Sequence, residues 1–198
     1  MLEIVLASSN RGKVQEFEEL LKGLDIKLIP QYELNIPDAE ETGTTFVENA
    51  IIKARHAAKY ANLPAIADDS GLVIDALGGA PGVRSSRYAG ANANDEARIV
   101  KVLSELTEVE DRDRTACFHC AIVLMENADD PAPLICQGMW EGTILKAPSG
   151  HRGFGYDPIF LVPTHGCSAA ELDSQVKNRI SHRGQAVIQL IDALTGSV

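Results

Sequence analysis

The stretch LPAIADDSGLVIDALGG, residues 63–79, decides how this chain is interpreted. Its first apolar run is typical of a buried strand and stops at two adjacent acids, Asp68 and Asp69. Ser70, Gly71 and a second apolar run follow. Neighbouring carboxylates repel each other unless a cation or a proton compensates for their charge. We therefore predict a strand that ends at the two aspartates, with a cation or a proton between them.

The composition limits the class of protein. The chain has 198 residues, 45% of them hydrophobic and 23% charged, and a formal net charge of −10. Such a chain is typical of a soluble globular protein with one large domain or two small lobes. The negative charge argues against nucleic acid and anionic membranes as partners, although clustered basic groups or Mg²⁺ still permit a small polyanion. Neither a membrane span nor a signal peptide is visible, so we expect a cytoplasmic protein.

The order of the predicted elements is mixed α and β, without an internal repeat. Hydrophobic periodicity predicts helices at 14–23, 45–61, 93–106 and 184–194, and a capping box at Ser168 and Glu171 predicts another short helix. The predicted strands are 2–7, 26–30, 64–68, 115–126, 132–145 and 159–163.

Two of the four cysteines, Cys117 and Cys120, have the C-x-x-C spacing of zinc and redox sites. They lie in a predicted strand, where residues three apart point to opposite faces, and no second close pair is present. We expect all four cysteines to be reduced and packed in or beside the core.

A polar turn follows the first predicted strand and precedes the first predicted helix. Its Gly, Lys and small hydroxyl residues suit phosphate binding at a helix N-terminus, although it is not a P-loop. A simple Ser or Asn N-cap explains the turn equally well. The residues are Ser8, Ser9, Asn10, Arg11, Gly12 and Lys13.

Two acidic pairs are candidate metal ligands, Glu40 with Glu41 and Asp68 with Asp69. Carboxylate oxygens suit Mg²⁺, and one aspartate of the second pair can serve as a ligand while the other acts as a general base. Taken alone, Glu40 and Glu41 are better explained by a solvated loop.

The stretch GFGYDP, residues 153–158, places an aromatic ring between two glycines. Such a loop can present Phe154 to a stacking base while the glycine backbone approaches closely. Lys177, His182 and Arg183 supply donors that can bind an anion or a nucleobase. Motifs of acyl transfer, zinc hydrolysis and dinucleotide binding are absent, so these groups together indicate a nucleotide site.

These stretches resemble the inosine/xanthosine triphosphate pyrophosphatases, which remove deaminated purine nucleotides. The matching segments are LASSNRGK, AEETGTTFVENAIIKARHAA, PAIADDSGLVIDALGGAPGVRSSRYAG, GFGYDPIF and ISHRGQA, and they follow the family's order over nearly the whole chain. The resemblance implies an α/β fold with a mixed, elongated central sheet flanked by helices and two lobes with a substrate cleft between them, all in one domain of residues 1–198. It also implies a homodimer.

The implied reaction is the Mg²⁺-dependent hydrolysis of ITP, dITP or XTP to the monophosphate and pyrophosphate. By position, Ser8 to Lys13 bind the triphosphate and Lys53 helps to neutralise it. Glu41, Asp69 and also Asp68 are the implied metal ligands, with Asp69 as the base that activates water. The implied contacts to substrate, base and sugar are Ser70, Phe154, Gly155, Tyr156, Asp157, Lys177, His182 and Arg183.

One departure and three alternatives accompany this resemblance. The family's phosphate turn more often reads Thr-Gly-Asn, where this chain has Ser8-Ser9-Asn10. The alternatives are a pyrophosphatase of the septum-inhibitor type that acts on modified pyrimidine nucleotides, a nucleotide sensor without turnover, and a structural protein. The GFGYDP and SHR stretches and the presence of both aspartates argue against them.

Overall fold

The computed structural model describes residues 2–196, which form five α-helices and a seven-stranded sheet. The strands are β1 Leu2–Leu6, β2 Ile26–Pro30, β3 Ala65–Ile74, β4 Thr115–Met125, β5 Leu134–Ile144, β6 Phe160–Val162 and β7 Cys167–Ser168. The helices are α1 Arg11–Leu20, α2 Phe46–Ala61, α3 Asp95–Glu105, α4 Ser174–Ile180 and α5 His182–Thr195. The strand order is β2-β1-β3-β4-β5-β6-β7. The predicted mixed α/β fold with helices beside a central sheet is confirmed.

Strand pairing in this sheet is of both kinds. β1 runs parallel to β2 and to β3, with Val5 opposite Ala65. β6 is antiparallel to both β5 and β7. Helical crossovers make parallel pairs and short connections make antiparallel ones, as the order of the elements predicts.

The chain divides into two compact units. Within the described residues, unit 1 contains 2–69, 120–138 and 183–196, and unit 2 contains 70–119 and 139–182. The unit boundary falls within β3, immediately after Asp69.

Unit 1 is a three-layer arrangement in which strand alternation assigns each side chain to a face. Ile4, Leu6 and Ile66 pack with residues of α1 and α5. Val5 and Ala67 pack on the opposite face, against an alanine row of α2. Small side chains let α2 approach the sheet closely, as its sequence predicts. The row consists of Ala50, Ala54, Ala57 and Ala58.

Unit 2 has its own core around three aromatic side chains, Phe118, Trp140 and Phe160. The Phe118 and Phe160 ring centroids are 4.5 Å apart, and those of Trp140 and Phe160 are 5.2 Å apart. Edge and tilted contacts of this kind add to the free energy that burial of the rings supplies.

Two predictions about element boundaries are wrong. β3 does not end at Asp68 and Asp69 but continues through them to Ile74. No helix begins at Ser168: the Ser168 N–H does donate to Glu171 over 2.8 Å, but Ser168 ends β7. The next helix begins at Ser174, where Asp173 accepts from the Gln175 N–H and is the N-cap.

The four cysteines are free thiols, as predicted. Within residues 2–196, no helix has both the length and the apolar composition that a membrane span needs.

Candidate active site

Asp68 is the centre of a buried charge cluster in unit 1. Its side chain is 0% exposed, and Oδ2 lies 2.9 Å from Nζ of Lys13 and 3.3 Å from Nη2 of Arg183. Lys13 lies in the first turn of α1 and Arg183 in the first turn of α5, so this carboxylate joins both helices to β3. Arg183 also pairs with Glu16 of α1.

The charge of Asp68 is fixed by these partners. Burial by itself raises the pKa of the Asp68 carboxyl, but the positive charges of Lys13, Arg183 and Lys53 outweigh it and hold that pKa far below its usual range. The Arg183 guanidinium shows the reciprocal effect, because Asp68 and Glu16 raise its pKa despite its burial. Asp68 therefore remains ionised at any physiological pH.

Asp69 lies on the opposite face of β3 and contacts α2. Its Oδ1 accepts from Nζ of Lys53 over 3.1 Å, and its Oδ2 accepts from the Asn49 side-chain amide over 3.2 Å. Burial raises the pKa of the Asp69 carboxyl, and the nearby charge of Lys53 offsets that effect only in part. A carboxylate with a raised pKa is a stronger base than an ordinary aspartate.

Lys53 connects Asp69 to the loop that precedes α2. Its Nζ is 2.9 Å from Oε1 of Glu41 and 3.1 Å from Oδ1 of Asp69. Burial lowers the pKa of the Lys53 amine, but the charges of Asp69, Asp68 and Glu41 overcome this and raise it. Lys53 is therefore a fixed positive charge between two carboxylates.

The carboxylates of Glu41 and Asp69 suit a divalent cation. Both are hard oxygen donors and both reach the same ammonium group, so they face one point. No group of three or more His, Cys, Asp or Glu side chains in residues 2–196 is arranged to hold a metal ion. Two carboxylates are nevertheless the usual protein contribution to a Mg²⁺ site, whose other ligands are water and phosphate. Asp68 lies on the other face of β3 and pairs with two cations, Lys13 and Arg183.

The turn from Ser8 to Lys13 forms the N-terminus of α1. Asn10 is the N-cap, and its Oδ1 accepts from the N–H groups of Gly12 and Lys13 over 2.9 and 3.2 Å. The capping explanation of this turn is therefore correct for these two N–H groups. The cation that the turn contributes is Lys13, while Arg11 is exposed.

Ser9 links this turn to the acidic loop. Its hydroxyl donates to Oδ1 of Asp38 over 2.6 Å and accepts from Nε2 of Gln31 over 3.0 Å. Asn49 holds the same loop at Gly43, whose N–H donates to the Asn49 Oδ1 over 2.8 Å. Two attachments thus flank Glu41 on the loop.

Unit 2 contains the Gly-Phe-Gly loop. The Phe154 N–H donates to Oδ2 of Asp157 over 3.0 Å, and Nζ of Lys177 lies 2.7 Å from the same oxygen. The Lys177 Nζ is also 5.1 Å from the centroid of the half-buried Phe154 ring. Asp157 therefore positions both an aromatic ring and a cation.

Position 153 requires glycine for two reasons, the conformation of its backbone and the closeness of the Asp157 carboxylate. It adopts φ +74°, and a Cβ there would lie 2.0 Å from Oδ2 of Asp157. Gly155 has φ +63°, but a Cβ there would meet no atom within 4 Å. The two glycines thus have different functions, which the prediction of close approach by a ligand did not separate.

The other residues that the sequence indicated as substrate contacts have different surroundings. Tyr156 is buried in the core of unit 2, and its hydroxyl donates to the Ser85 carbonyl over 2.8 Å. His182 is buried against Phe118, with ring centroids 4.8 Å apart. Ser70 is half-buried on β3. Arg183 pairs with Asp68 and Glu16 in unit 1.

Sequence reasoning missed two residues of the unit 1 cluster, Asn49 and Glu16. Asn49 is 0% exposed and holds both Asp69 and Gly43. A signal was present, because Asn49 and Lys53 are four residues apart and therefore lie on one face of α2. Glu16 carries no such signal, since it is one of several acids on α1.

The sequence matches a family model and curated proteins over nearly its whole length. The sequence model of the Ham1 family matches residues 4–193. Over 195 residues the chain is 66% identical to a dITP/XTP pyrophosphatase of Coxiella burnetii, covering 98% of each. A dITP/XTP pyrophosphatase of Vibrio cholerae is 54% identical over 194 residues, covering 98% of this chain and 97% of the relative.

Solved structures agree with this match. A HAM1 protein from Coxiella burnetii is 66% identical, with a TM-score of 0.93 over 99% of this chain and all of that one. The Staphylococcus aureus Ham1 protein is 43% identical, with a TM-score of 0.87 over the same shares. The chain belongs to the Ham1 family. This confirms the resemblance to triphosphate pyrophosphatases found in the sequence.

We expect removal of the negative charge to change the free energy of unfolding by different amounts at the two adjacent aspartates. Asp68→Asn leaves Lys13 and Arg183 without their shared buried anion, and we expect it to lower the free energy of unfolding at pH 7 by about 3 kcal/mol. Asp69→Asn removes a charge that burial disfavours, so we expect a change within about 1 kcal/mol. Thermal unfolding followed by circular dichroism measures both.

The contributions of Asp68 and Asp69 to the stability of the folded state also depend on pH in different ways. The folded pKa of Asp68 lies below its unfolded value of 3.8, so its stabilisation is present above pH 3.8 and is lost as the pH falls further. The folded pKa of Asp69 lies above its unfolded value, so protonation of Asp69 as the pH falls stabilises the folded state. Below pH 3.8, Asp68→Asn should therefore lose stability less steeply than the wild type. The Asp69 effect falls above pH 3.8, where the wild type gains stability on protonation of Asp69 and Asp69→Asn does not. Equal slopes would contradict this division.

The two glycines of the loop form a matched pair. Both Gly153→Ala and Gly155→Ala incur backbone strain of roughly 1 kcal/mol, because both positions have positive φ. Only Gly153→Ala also displaces the Asp157 carboxylate, which should cost about 1–3 kcal/mol more. Urea unfolding followed by the fluorescence of Trp140 in unit 2 measures the difference. Equal losses would show that the Asp157 contact does not explain Gly153.

Proposed function

We propose that the protein hydrolyses the deaminated purine nucleoside triphosphates ITP, dITP and XTP to the monophosphate and pyrophosphate. The observation that carries the proposal is the buried Asp69, whose raised pKa and contact with Lys53 suit a base next to a bound polyanion. Relatives that are 54–66% identical over nearly their full lengths are named dITP/XTP pyrophosphatases. The Ham1 match favours this family over the septum-inhibitor type.

In the proposed reaction, Asp69 accepts a proton from the water that attacks the α-phosphorus, and pyrophosphate leaves. Asn49 and Lys53 each hold one oxygen of the Asp69 carboxylate and so fix its direction. Lys13 and Lys53 neutralise phosphate charge, and the N-terminus of α1 adds its dipole. Asp68 keeps Lys13 and Arg183 in place without taking part in proton transfer.

We propose Mg²⁺ as the cofactor, held by Glu41 and Asp69. When bound, it withdraws electron density from the phosphate oxygens and screens the substrate's negative charge. Lys53, which contacts both carboxylates, would supply a second positive charge beside the ion. We omit Asp68 from the ligand set because its side chain is 0% exposed and already paired with two cations.

We propose that the purine base stacks on Phe154 in unit 2, with Lys177 and His182 as nearby donors. The half-buried ring beside a cation is a suitable stacking surface. Donors that match a 6-oxo group would face the 6-amino group of adenine, and this mismatch disfavours ATP.

The cellular setting is proposed on the resemblance. The protein is a cytoplasmic homodimer whose 198 residues form one domain, and it removes abnormal purines before they enter DNA or RNA. The net charge of −10 supports a small-molecule substrate in place of nucleic acid or a membrane as the partner.

Product analysis tests the activity. Purified protein with Mg²⁺ is incubated separately with ITP, XTP, dITP, GTP, ATP and dTTP, and nucleotides and pyrophosphate are quantified. We expect monophosphate and pyrophosphate from the first three and little from the others. Asp69→Asn should lower kcat by about 10²–10⁴. Diphosphate and orthophosphate as products would contradict the proposed bond, and tight ITP binding without turnover would indicate a sensor.

The metal ligands are tested with two neighbouring glutamates. Glu41→Gln should raise the Mg²⁺ concentration for half-maximal rate by at least about tenfold, because it removes a charged ligand. Glu40→Gln is the matched control, since Glu40 is exposed and adjacent. A Mg²⁺ titration of ITP hydrolysis measures both. Equal shifts in the two variants would mean that Glu41 acts only through the general charge of the loop.

A further inference from the structure

Two carboxylates hold consecutive peptide groups of the Gly-Phe-Gly loop. Asp157, within the loop region, accepts from the Phe154 N–H over 3.0 Å. Asp95 lies 60 residues earlier at the start of α3, and its Oδ2 accepts from the Gly155 N–H over 2.7 Å. The peptide groups on both sides of the Phe154 Cα are thus held by acids from two different parts of unit 2.

Asp95 is itself held in place. Asn94 is the N-cap of α3 and accepts from the Ala97 N–H over 2.9 Å, which leaves Asp95 as the first helical residue. The Asp95 Oδ1 pairs with the Arg98 guanidinium. Arg98 in turn donates to the Ala93 carbonyl over 2.6 Å. One oxygen of Asp95 therefore contacts its own helix, and the other is directed at the loop.

The Asp95 contact is the shorter of two that hold the peptide group between Phe154 and Gly155. In the other, the Phe154 carbonyl accepts from the Asp157 N–H over 3.4 Å. Gly155 has positive φ and space for a Cβ, so its own packing does not fix its peptide orientation. Asp157 and Lys177 hold the other side of Phe154. Loss of Asp95 would therefore leave the Gly155 N–H without its acceptor, loosen this peptide group, and leave the Asp157–Lys177 pair intact.

We propose that Asp95, locked by Arg98, is a positioning residue that orients Phe154 for stacking on the purine base. It touches no reacting atom, so it governs KM and base preference and leaves the chemical step unchanged. This inference rests on the proposed function, in which Phe154 is the stacking surface. Its distinctive element is a carboxylate on α3 that was not among the residues indicated by the sequence.

Three variants test the proposal by steady-state kinetics with ITP. Asp95→Ala should raise KM about five- to tenfold, the effect of one lost charge-assisted hydrogen bond, with kcat within about twofold of the wild type. Asp95→Asn should recover only part of this loss, because its one amide oxygen can accept from Gly155 but its NH2 group cannot accept from Arg98. Glu96→Ala is the matched control, since it removes an exposed acid from the same helix turn and should change neither constant.

Amide hydrogen exchange separates this proposal from the proposed activity. Asp95→Ala should speed exchange of the Gly155 N–H at least about tenfold, and Glu96→Ala should not. If the wild type and Glu96→Ala both fail to hydrolyse ITP, the proposed function fails while the exchange result still tests the positioning. An unchanged KM in an active Asp95→Ala enzyme, or equal effects of Asp95→Ala and Glu96→Ala, would overturn the role of Asp95.

Discussion

A carboxylate with no exposure to water must have compensating charges, and Asp68 imposes this requirement on unit 1. An ion of this kind costs several kcal/mol to bury, so its partners cannot be removed without large loss of stability. Lys13 and Arg183 meet the requirement from α1 and α5, which are far apart in sequence. The positions of both helices against β3 are therefore tied to one charge. Strand alternation then determines that Asp69 faces α2.

This alternation gives two neighbouring aspartates different chemistry. Asp68 is surrounded by cations and stays ionised, while Asp69 is buried with less compensation and has a raised pKa. Environments that push the pKa values of two acids apart are typical of catalytic pairs. The question raised by the sequence, what two adjacent acids hold, thus has two answers. Asp68 holds Lys13 and Arg183, and Asp69 contacts Lys53 and Asn49 and has a raised pKa. We propose that Asp69 is the one that takes a proton and a metal.

The sequence predicted α1, α2, α3, α5 and most of the strands well, because hydrophobic periodicity is a local property. The capping box at Ser168 misplaced the short helix α4. It failed at β3, where Asp68, Asp69 and Gly71 indicated an end to the strand. The cations that allow β3 to continue come from α1, α2 and α5, and no local pattern carries that information. Gly153 was singled out for a different reason from the one found, because its neighbour Asp157 bends back onto it. Asp95 was missed because an acid at a helix start is common.

The central claim is the separation of the two aspartate pKa values, and a carboxyl titration by ¹³C NMR tests it most directly. Spectra of the metal-free wild type, with Asp69→Asn for assignment, follow each carboxyl carbon as the pH is lowered. The account predicts that Asp69 titrates above the ordinary value of 3.8 and that Asp68 remains ionised until the protein unfolds. Titration of Asp69 below 3.8, or protonation of Asp68 in the folded protein near that pH, would contradict the division of roles.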